Sequence, residues 1–586
     1  MIYALVHQRC PSAGRLTWCN TLISPRQTAK LYTHPVSPGL TALSNQDTRK
    51  MNILRLPQEL LICILLNVDP SDLLACGSVC SGLNKLLNTS AVRHRMLLAK
   101  VGMRHDIPGK LPLMDSIKAL QEYRAAWHAL PPMVDSLPHA AQNDGHQYPK
   151  SCGDAFALLN GTTLWLIRPP CFIRNIKPRT WSIDLSISQL DVQCCGVDSS
   201  QGLLVISGVD ASSPEPVQCH LISLSGTSLQ TYHPEAAVHA FTITPACRGY
   251  YAYSCKTIIH GDLIGWAWRD YSDGLRVYNW KTGALLWQCH SARSAIHFAF
   301  LDETRLIVAC DDALRIYAID PHTTVDPTPH TALLCYPTLA EYPPPVFTLE
   351  LPPLIEDSVS NALILESRRP VPDDDAAFGR EANLTVLAML INAHSTTTFQ
   401  VEMYLYVIPV STLLTRLNSA LAENTSHAVP PYPTSVPWDS WGASGGCLSH
   451  IPKPGCCMTP GLSVMGSMCA VWASRVDDPA TVEAFVFDFH AHAHPESTDN
   501  DDREILAHFM DGSRVVRSAK LLRDPIRNTL PYRVVHKTIA YNDDPDFAAA
   551  VTRHSFTLLE DGLAVMSTTM EEDMWRLRLF AVDKPI

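Results

Sequence analysis

The sequence predicts two kinds of structure in one chain, a helical bundle near the start followed by a large all-β region. Apolar residues recur about every 3.6 residues from Leu56 to Leu87, which is the period of an α-helix. From about Phe156 onward the period changes to two, which indicates β-strands. A chain of 586 residues is long enough for several domains, and 46% hydrophobic with 18% charged residues is typical of globular ones. The predicted fold class is therefore multidomain α + all-β.

Residues 1–50 are predicted to be a disordered N-terminal extension. They contain no acidic residue before Asp47 but carry arginine, lysine, serine and threonine, a composition that mitochondrial transit peptides also have. Four prolines interrupt any long amphipathic helix in this stretch. A disordered extension is therefore favoured over a targeting signal.

Residues 51–98 are predicted to form a bundle of three short helices and the start of a fourth. Pro57 suits a first helical turn, because its missing N–H group would be unpaired there in any residue. Asp69 and Pro70 end the first helix and begin the second, and Ser81 leads into the third. Three helices in so few residues enclose little interior, so much of their apolar surface needs a partner.

This stretch resembles an F-box. The family pattern corresponds here to Leu56-Pro57, Glu59-Leu60, Ile64-Leu65, Asp72-Leu73-Leu74, Val79-Cys80 and Leu83, the last at a position that the family often fills with an aromatic residue. The resemblance implies docking on the Skp-type adaptor of a cullin-RING ubiquitin ligase. The residues that it implies for adaptor binding are Leu56, Pro57, Leu60, Ile64, Leu65, Leu73 and Val79. The alternative is an ordinary helical hairpin buried inside its own domain.

Residues 99–150 are predicted to be a helical linker that braces the bundle against the next domain. Asp115 or Ser116 can cap a helix that carries Ile117, Leu120 and Trp127 on one side. The Ala-Ala-Trp127 sequence before Leu130-Pro131-Pro132 resembles the segment after the F-box in a group of fungal, chiefly basidiomycete, proteins. A proline- and histidine-rich connector, roughly 131–150, closes this part.

Residues 151–586 are predicted to form a β-propeller-like domain that binds a substrate protein. A unit of strand, polar turn and strand recurs, and its second strands begin near residues 276, 315, 403, 484 and 577. These positions lie one or two units of about forty residues apart, which is the period of a four-stranded propeller blade. Residues 280–283 (WKTG) resemble the blade-ending turn of WD-repeat propellers, so the blades are predicted to be WD-repeat-like but degenerate. A pair of β-sandwiches or a barrel is the alternative.

Motifs for catalysis and cofactor binding are missing from the sequence. It contains no GxxxxGK[ST], GxSxG or HExxH pattern and no interpretable pair of carboxylates. Two groups of residues have side chains that can bind metals. His490, His492 and His494 are better explained as part of a solvated loop. In the group Cys447, His450, Cys456 and Cys457, the two adjacent cysteines would be strained as ligands of one tetrahedral ion, so a metal site is not favoured there either. The prediction is a protein without catalytic residues, metal or cofactor.

Composition also limits the partners and the compartment. A net charge of −11 without a basic tract argues against nucleic acid, and no apolar run is long enough to predict a membrane helix. Nineteen cysteines at scattered spacing indicate reduced thiols rather than a disulfide framework. The expected location is cytoplasmic and/or nuclear, without a membrane partner.

These observations predict the function of a substrate-recognition subunit of an SCF-type E3 ubiquitin ligase. The F-box would bind the Skp-type adaptor, and through it the cullin, while the β domain recruits an unknown target protein. The chain itself is predicted not to be an enzyme. A scaffold that binds the adaptor outside any ligase is the alternative, and a propeller enzyme is a more remote one.

Overall fold

The structure is a computed structural model. It describes residues 53–104, 111–129, 133–139, 150–152, 155–160, 163–185, 190–210, 213–226, 231–243, 254–269, 274–290, 297–310, 313–325, 344–370, 376–398, 401–424, 434–442, 445–451, 461–474, 481–489, 515–516, 521–522, 526–527, 533–539, 551–569 and 575–581. The chain divides into two compact units, residues 1–57 and residues 58–586. In the first unit the described residues begin with a 3-10 helix, Ile53–Arg55, and the Leu56 N–H donates to the Ile53 carbonyl.

The second unit begins with five helices, which we call the helical part. They are α1 (Gln58–Leu65), α2 (Pro70–Val79), α3 (Ser81–Leu87), α4 (Ser90–Val101) and α5 (Leu113–Ala129). Helix α4 ends because Gly102 adopts a left-handed conformation with φ of 69°, which lets its N–H bond back to the carbonyls of the last turn. Helix α3 begins at Cys80, whose thiol accepts a hydrogen bond from the Leu83 N–H.

Two strands belong to the segment around α5. Strand β1 (Met103–Arg104) precedes the helix, and strand β2 (Met133–His139) follows it. The sequence predicts a connector at residues 131–150, whereas the structure places β2 in a sheet. Proline and polar residues in β2 hide the alternation by which strands are recognised.

The rest of the described chain forms seven four-stranded antiparallel sheets, the blades of a propeller. The first three blades follow the chain without interruption. Blade 1 consists of β3 (Lys150–Cys152), β4 (Ala155–Asn160), β5 (Thr163–Arg168) and β6 (Arg179–Asp184). Blade 2 consists of β7 (Leu190–Asp198), β8 (Leu203–Asp210), β9 (Ser213–Ser223) and β10 (Ala240–Ile243). Blade 3 consists of β11 (Ser254–His260), β12 (Leu263–Arg269), β13 (Gly274–Asn279) and β14 (Leu285–His290).

The next two blades are linked by an insertion. Blade 4 consists of β15 (His297–Asp302), β16 (Arg305–Ala309), β17 (Ala313–Ala318) and β18 (Phe347–Glu350). Blade 5 consists of β19 (Ser358–Glu366), β21 (Val386–Ser395), β22 (Val401–Pro409) and β24 (Cys447–Ile451). Its connections contain β20 (Gly379–Arg380), a 3-10 helix (Ala382–Leu384), α6 (Val410–Asn424), β23 (Thr434–Val436) and α7 (Trp438–Trp441). Strand β23 pairs in parallel with β18, so blade 4 gains a fifth strand.

The last two blades complete the ring. Blade 6 consists of β25 (Gly461–Met465), β26 (Met468–Ser474), β27 (Val482–Asp488) and β30 (Arg533–Ile539), with the short pair β28 (Val515–Val516) and β29 (Ile526–Arg527) in its last connection. Blade 7 consists of β31 (Val551–Leu559), β32 (Gly562–Thr569) and β33 (Trp575–Ala581), and β2 is its outer strand. The first strand of each blade contacts that of the next, and β31 contacts β3, so the ring is closed. The predicted fold class is confirmed, and the number of blades is seven.

Two tryptophans anchor the short helix α7 of blade 5. Trp438 and Trp441 follow a proline-rich stretch of the sequence, and both are buried. Their rings pack edge to face on Tyr406, and the Trp441 indole N–H donates to the Glu350 carbonyl at the edge of blade 4. Trp441 therefore fixes α7 to blades 4 and 5, because a large aromatic side chain with a satisfied N–H gains most from burial, and Trp438 adds ring packing on Tyr406.

Candidate adaptor-binding surface and its attachment to the propeller

Helix α1 divides its apolar residues between two faces. Leu61 and Leu65 are buried and lie four residues apart, whereas Leu60 is 51% exposed and Ile64 is half-buried. Cys63, beside Leu60 on the same side of the helix, is also exposed. Because nearly every residue of α1 is apolar, the sequence pattern alone could not separate the inner face from the outer one.

The seven predicted anchors differ in exposure: two are buried in the core, and the other five are exposed or half-buried. In the second unit, Leu60 and Val79 are exposed, at 51% and 48%, while Leu65 and Leu73 are enclosed by the chain, at 4% and 0%. In the first unit, Leu56 is half-buried and Pro57 is exposed. Buried Leu65 and Leu73 therefore hold the helices together, and among the predicted anchors on α1 and α2 the outward apolar surface is offered by Leu60, Ile64 and Val79.

Four buried charges attach the helical part to the propeller, a group that we call the charge cluster: Arg174, Arg380, Glu560 and Asp561. The Arg174 side chain is 0% exposed, and its Nη1 lies 2.8 and 2.7 Å from the two carboxylate oxygens of Asp561. The same nitrogen is 2.9 Å from Oε1 of Glu560. Two positive and two negative groups cancel one another, which is what allows this many charges to be buried.

Tyr123 connects α5 to the charge cluster. Its hydroxyl donates to Asp561 Oδ1 at 3.0 Å and accepts from Arg380 Nη2 at 2.8 Å. Arg380 also donates twice to the Glu560 carbonyl, at 3.0 and 2.6 Å. Around these polar contacts lies an apolar layer from both sides of the junction, in which Phe378 meets the Tyr123 ring edge to face. Helix α5 is thus fixed to the propeller by hydrogen bonds and by apolar packing.

Two local backbone structures position three members of the charge cluster, Arg174, Glu560 and Asp561. Arg174 ends a 3-10 helix between β5 and β6, and this loop is clamped by two backbone hydrogen bonds between Cys171 and Ile176. Asn175 takes the left-handed conformation, which asparagine tolerates better than most residues. Glu560 and Asp561 are the two residues of the tight turn between β31 and β32. The first loop is thus held by backbone hydrogen bonds, and the second is a two-residue turn.

Burial and charge also shift the pKa values in the cluster. Burial raises the pKa of the Tyr123 hydroxyl well above its ordinary value, and Asp561 raises it further while the two arginines oppose the shift. Burial alone would lower the pKa of Arg174, but Asp561 and Glu560 outweigh it, so that pKa is raised. The tyrosine stays protonated and the arginine stays charged, as the hydrogen bonds require.

The charge cluster lies on one particular face of the ring. Consecutive antiparallel strands reverse direction, so the connections between first and second strands and between third and fourth strands share a face, which we call the lower face. Arg174, Arg380 and the Glu560–Asp561 turn all belong to such connections. The helical part therefore sits on the lower face, and β2 enters blade 7 from that side.

One connection of blade 5 contacts four other blades on the lower face; we call its described residues, 366–370 and 376–381, the crossing segment. Arg369 donates to the Leu301 carbonyl of blade 4, and the Arg368 carbonyl accepts from Gly466 of blade 6. Further along, Ala377 donates to the Arg174 carbonyl of blade 1, and Arg380 reaches Glu560 of blade 7. The crossing segment and the helical part therefore both lie on the lower face, and we call the opposite side of the ring the upper face.

No sequence motif points to the charge cluster. Arg174 and Asp561 are 387 residues apart, and neither lies in a motif. The one local signal was the Glu560-Asp561-Gly562 sequence, which is typical of a tight turn but does not reveal what the turn residues contact.

The metal candidates of the sequence lie only partly within the described chain. His490, His492 and His494 lie outside the described residues, as do Cys456 and Cys457. Cys447 and His450 are three residues apart on β24, so their side chains point to opposite faces of the sheet. Within the described chain, no group of three or more histidine, cysteine, aspartate or glutamate side chains is arranged to hold a metal ion.

Comparison with protein families identifies the first described helices of the chain. Residues 53–99 match the F-box-like family. This region is an F-box-like domain. An F-box-like domain followed by a propeller suggests an adaptor or a receptor. None of the described helices is both long and apolar enough to cross a bilayer.

The other comparisons add little. No curated protein matches the chain. A crystal structure of Sqt1 from Saccharomyces cerevisiae resembles it at 8% sequence identity, over 74% of this chain and 82% of that one, with a TM-score of 0.22. That score is too low to support a conclusion about fold or function.

Proposed function

We propose that the protein is the substrate-recognition subunit of an SCF-type ubiquitin ligase. The observation that carries the proposal is an F-box-like domain that keeps apolar side chains exposed while a propeller is fixed behind it. In this proposal the F-box binds a Skp-type adaptor, and through it the cullin, in the cytoplasm and/or nucleus. The propeller holds a target protein that is to be ubiquitinated.

The proposed adaptor surface consists of Leu60, Ile64 and Val79, together with Leu56 and Pro57 from the family pattern. Leu65 and Leu73 support this surface from inside. An apolar helical face that lies in a groove of a partner is a common mode of recognition. Burial of each side chain contributes roughly 1.5–3 kcal/mol before the costs of association are subtracted.

The target is proposed to bind the upper face of the propeller. The crossing segment and the helical part both lie on the lower face, so the upper connections are the ones proposed for a second partner. Loops on a rigid scaffold are a frequent place for recognition. Catalysis then comes from proximity, because the receptor brings a lysine of its target close to a ubiquitin-conjugating enzyme and supplies no reacting group.

The first test replaces two exposed side chains, Leu60→Asp and Val79→Asp, in the same chain. Titration calorimetry with a purified Skp-type adaptor is expected to show at least about a hundredfold loss of affinity, since charges would be buried in an apolar contact. Met114→Asp is the matched control, because Met114 is exposed at 60% but lies outside residues 53–99. Unchanged affinity of the double variant would refute the proposed surface.

A second test uses the exposed thiol of Cys63 as a reporter. Adaptor binding is expected to slow alkylation of Cys63 by iodoacetamide several-fold, as measured by mass spectrometry, because Cys63 lies beside Leu60. Cys171, which is buried at the junction, stays unmodified with and without the adaptor and serves as the internal control. Adaptor binding that also retains a cullin supports the ligase, whereas binding that excludes the cullin favours the scaffold alternative.

A further inference from the structure

The outer edges of two blades accept strands from distant parts of the chain. Strand β2 completes blade 7 by pairing with β33, and β23 pairs in parallel with β18 of blade 4. In blade 1, as in blades 2, 3, 5 and 6, the fourth strand ends its sheet, and no other described strand pairs with β6. An edge strand presents a row of backbone donors and acceptors that can pair with another extended chain.

What sets β6 apart is the start of the strand, where Arg179 and Trp181 lie and which Lys177 precedes, whereas its last residue is the exposed Asp184. Arg179 is exposed, and its guanidinium carbon lies 5.1 Å from the centre of the Trp181 ring. Lys177, two residues earlier, is exposed as well, and neither cation has an acidic partner among the described residues. On the opposite face of the sheet Trp165 is 38% exposed and pairs across the strands with Ser182. Tryptophan and arginine are the residue types most often found at energetic centres of protein interfaces.

We propose that β6 binds an extended acidic segment of a partner protein as an added strand of blade 1. Backbone hydrogen bonds to β6 would hold the segment, and carboxylates near Lys177 and Arg179 would provide charge complementarity. The chain's own residues 1–50 do not fit this role, because they contain no acidic residue before Asp47. The site involves no residue of the F-box, so it stands or falls independently of adaptor binding.

Three fluorescein-labelled, blocked heptapeptides test the proposal by fluorescence anisotropy with the full chain. One alternates glutamate and threonine, the second alternates lysine and threonine, and the third alternates glutamate and proline. The glutamate–threonine peptide is expected to bind at least about tenfold more tightly than the lysine peptide, because of its charge. It should also exceed the glutamate–proline peptide, which has the charge but lacks the backbone donors of a strand.

Variants of exposed residues locate the binding site. Arg179→Glu is expected to weaken binding of the glutamate–threonine peptide at least about fivefold, whereas Arg179→Lys retains most of it. Lys85→Glu, on the exposed surface of α3, is the matched control and should leave binding unchanged. Equal binding of the glutamate–proline peptide, indifference to Arg179→Glu, or no binding at all would each overturn the proposal. Binding that occurs only after removal of residues 1–52 would assign the edge to that segment and overturn it as well.

Discussion

At its F-box end the helical part exposes Leu60 and Val79, whereas at its propeller end it meets two buried arginines and two buried carboxylates. Both arrangements run against the usual distribution, in which apolar side chains are inside and charges outside. The charges are paired within the chain, and so the junction is complete without a partner. Leu60 and Val79 instead remain exposed to solvent, and this exposed apolar surface is the physical reason to look for another protein at that end.

The largest effect is expected from removal of β2. A chain that begins at residue 151, the predicted start of the β domain, lacks the outer strand of blade 7 and leaves the β33 edge unpaired. We expect this chain to aggregate or to unfold at a lower temperature than one that begins at residue 111 and keeps both α5 and β2. Calorimetric unfolding and size-exclusion chromatography compare the two, and equal melting temperatures would contradict the role of β2.

The next effect concerns the charge cluster. Arg174→Met leaves Glu560 and Asp561 buried with too little positive charge, and we expect a loss of about 3–5 kcal/mol in the free energy of unfolding. Urea denaturation measures this loss. Arg179→Met, close in sequence but exposed, is the control and should change the free energy by less than about 0.5 kcal/mol. Similar values for both variants would mean that the cluster does not stabilise the junction.

The two groups of predicted anchors can be separated by truncation. Leu73→Ala is expected to destabilise the helices by about 2–5 kcal/mol, because Leu73 is fully buried and its removal leaves a cavity. Leu60→Ala should cost less than about 1 kcal/mol of stability and instead weaken adaptor binding. Circular dichroism during denaturation and adaptor titration distinguish the two effects. Equal destabilisation by both truncations would remove the distinction between core and surface.

A smaller effect is expected from His260, a half-buried base at the end of β11 on the lower face. Burial and, after it, the positive charge of Arg369 lower the pKa of His260 to about 4, although Asp302 and Asp198 oppose the shift. The unfolded chain, with an ordinary histidine pKa near 6.5, therefore binds more protons between about pH 6.5 and 4. Stability should fall by about 2 kcal/mol as the pH decreases through that window. His260→Gln should flatten this part of the stability profile, and an unchanged slope would refute the assignment.

Much of this protein was predictable from local pattern. The F-box residues follow one another within a single stretch, and the change of hydrophobic period near Phe156 marks where strands begin. The division of α1 into inner and outer faces was not predictable, because Leu60, Leu61, Ile64 and Leu65 are all apolar. Strand β2 was missed for the opposite reason, since its proline and polar residues leave too little alternation.

By itself the sequence determined the helices of the F-box-like domain and the all-β character of the larger domain, since both depend on neighbours a few residues apart. Only the tertiary structure decided that the ring has seven blades and that β2 completes the last of them. It also decided that Arg174 meets an aspartate 387 residues away. Such contacts depend on how distant segments are brought together, and a buried ion pair leaves no periodic trace in either of the segments that form it.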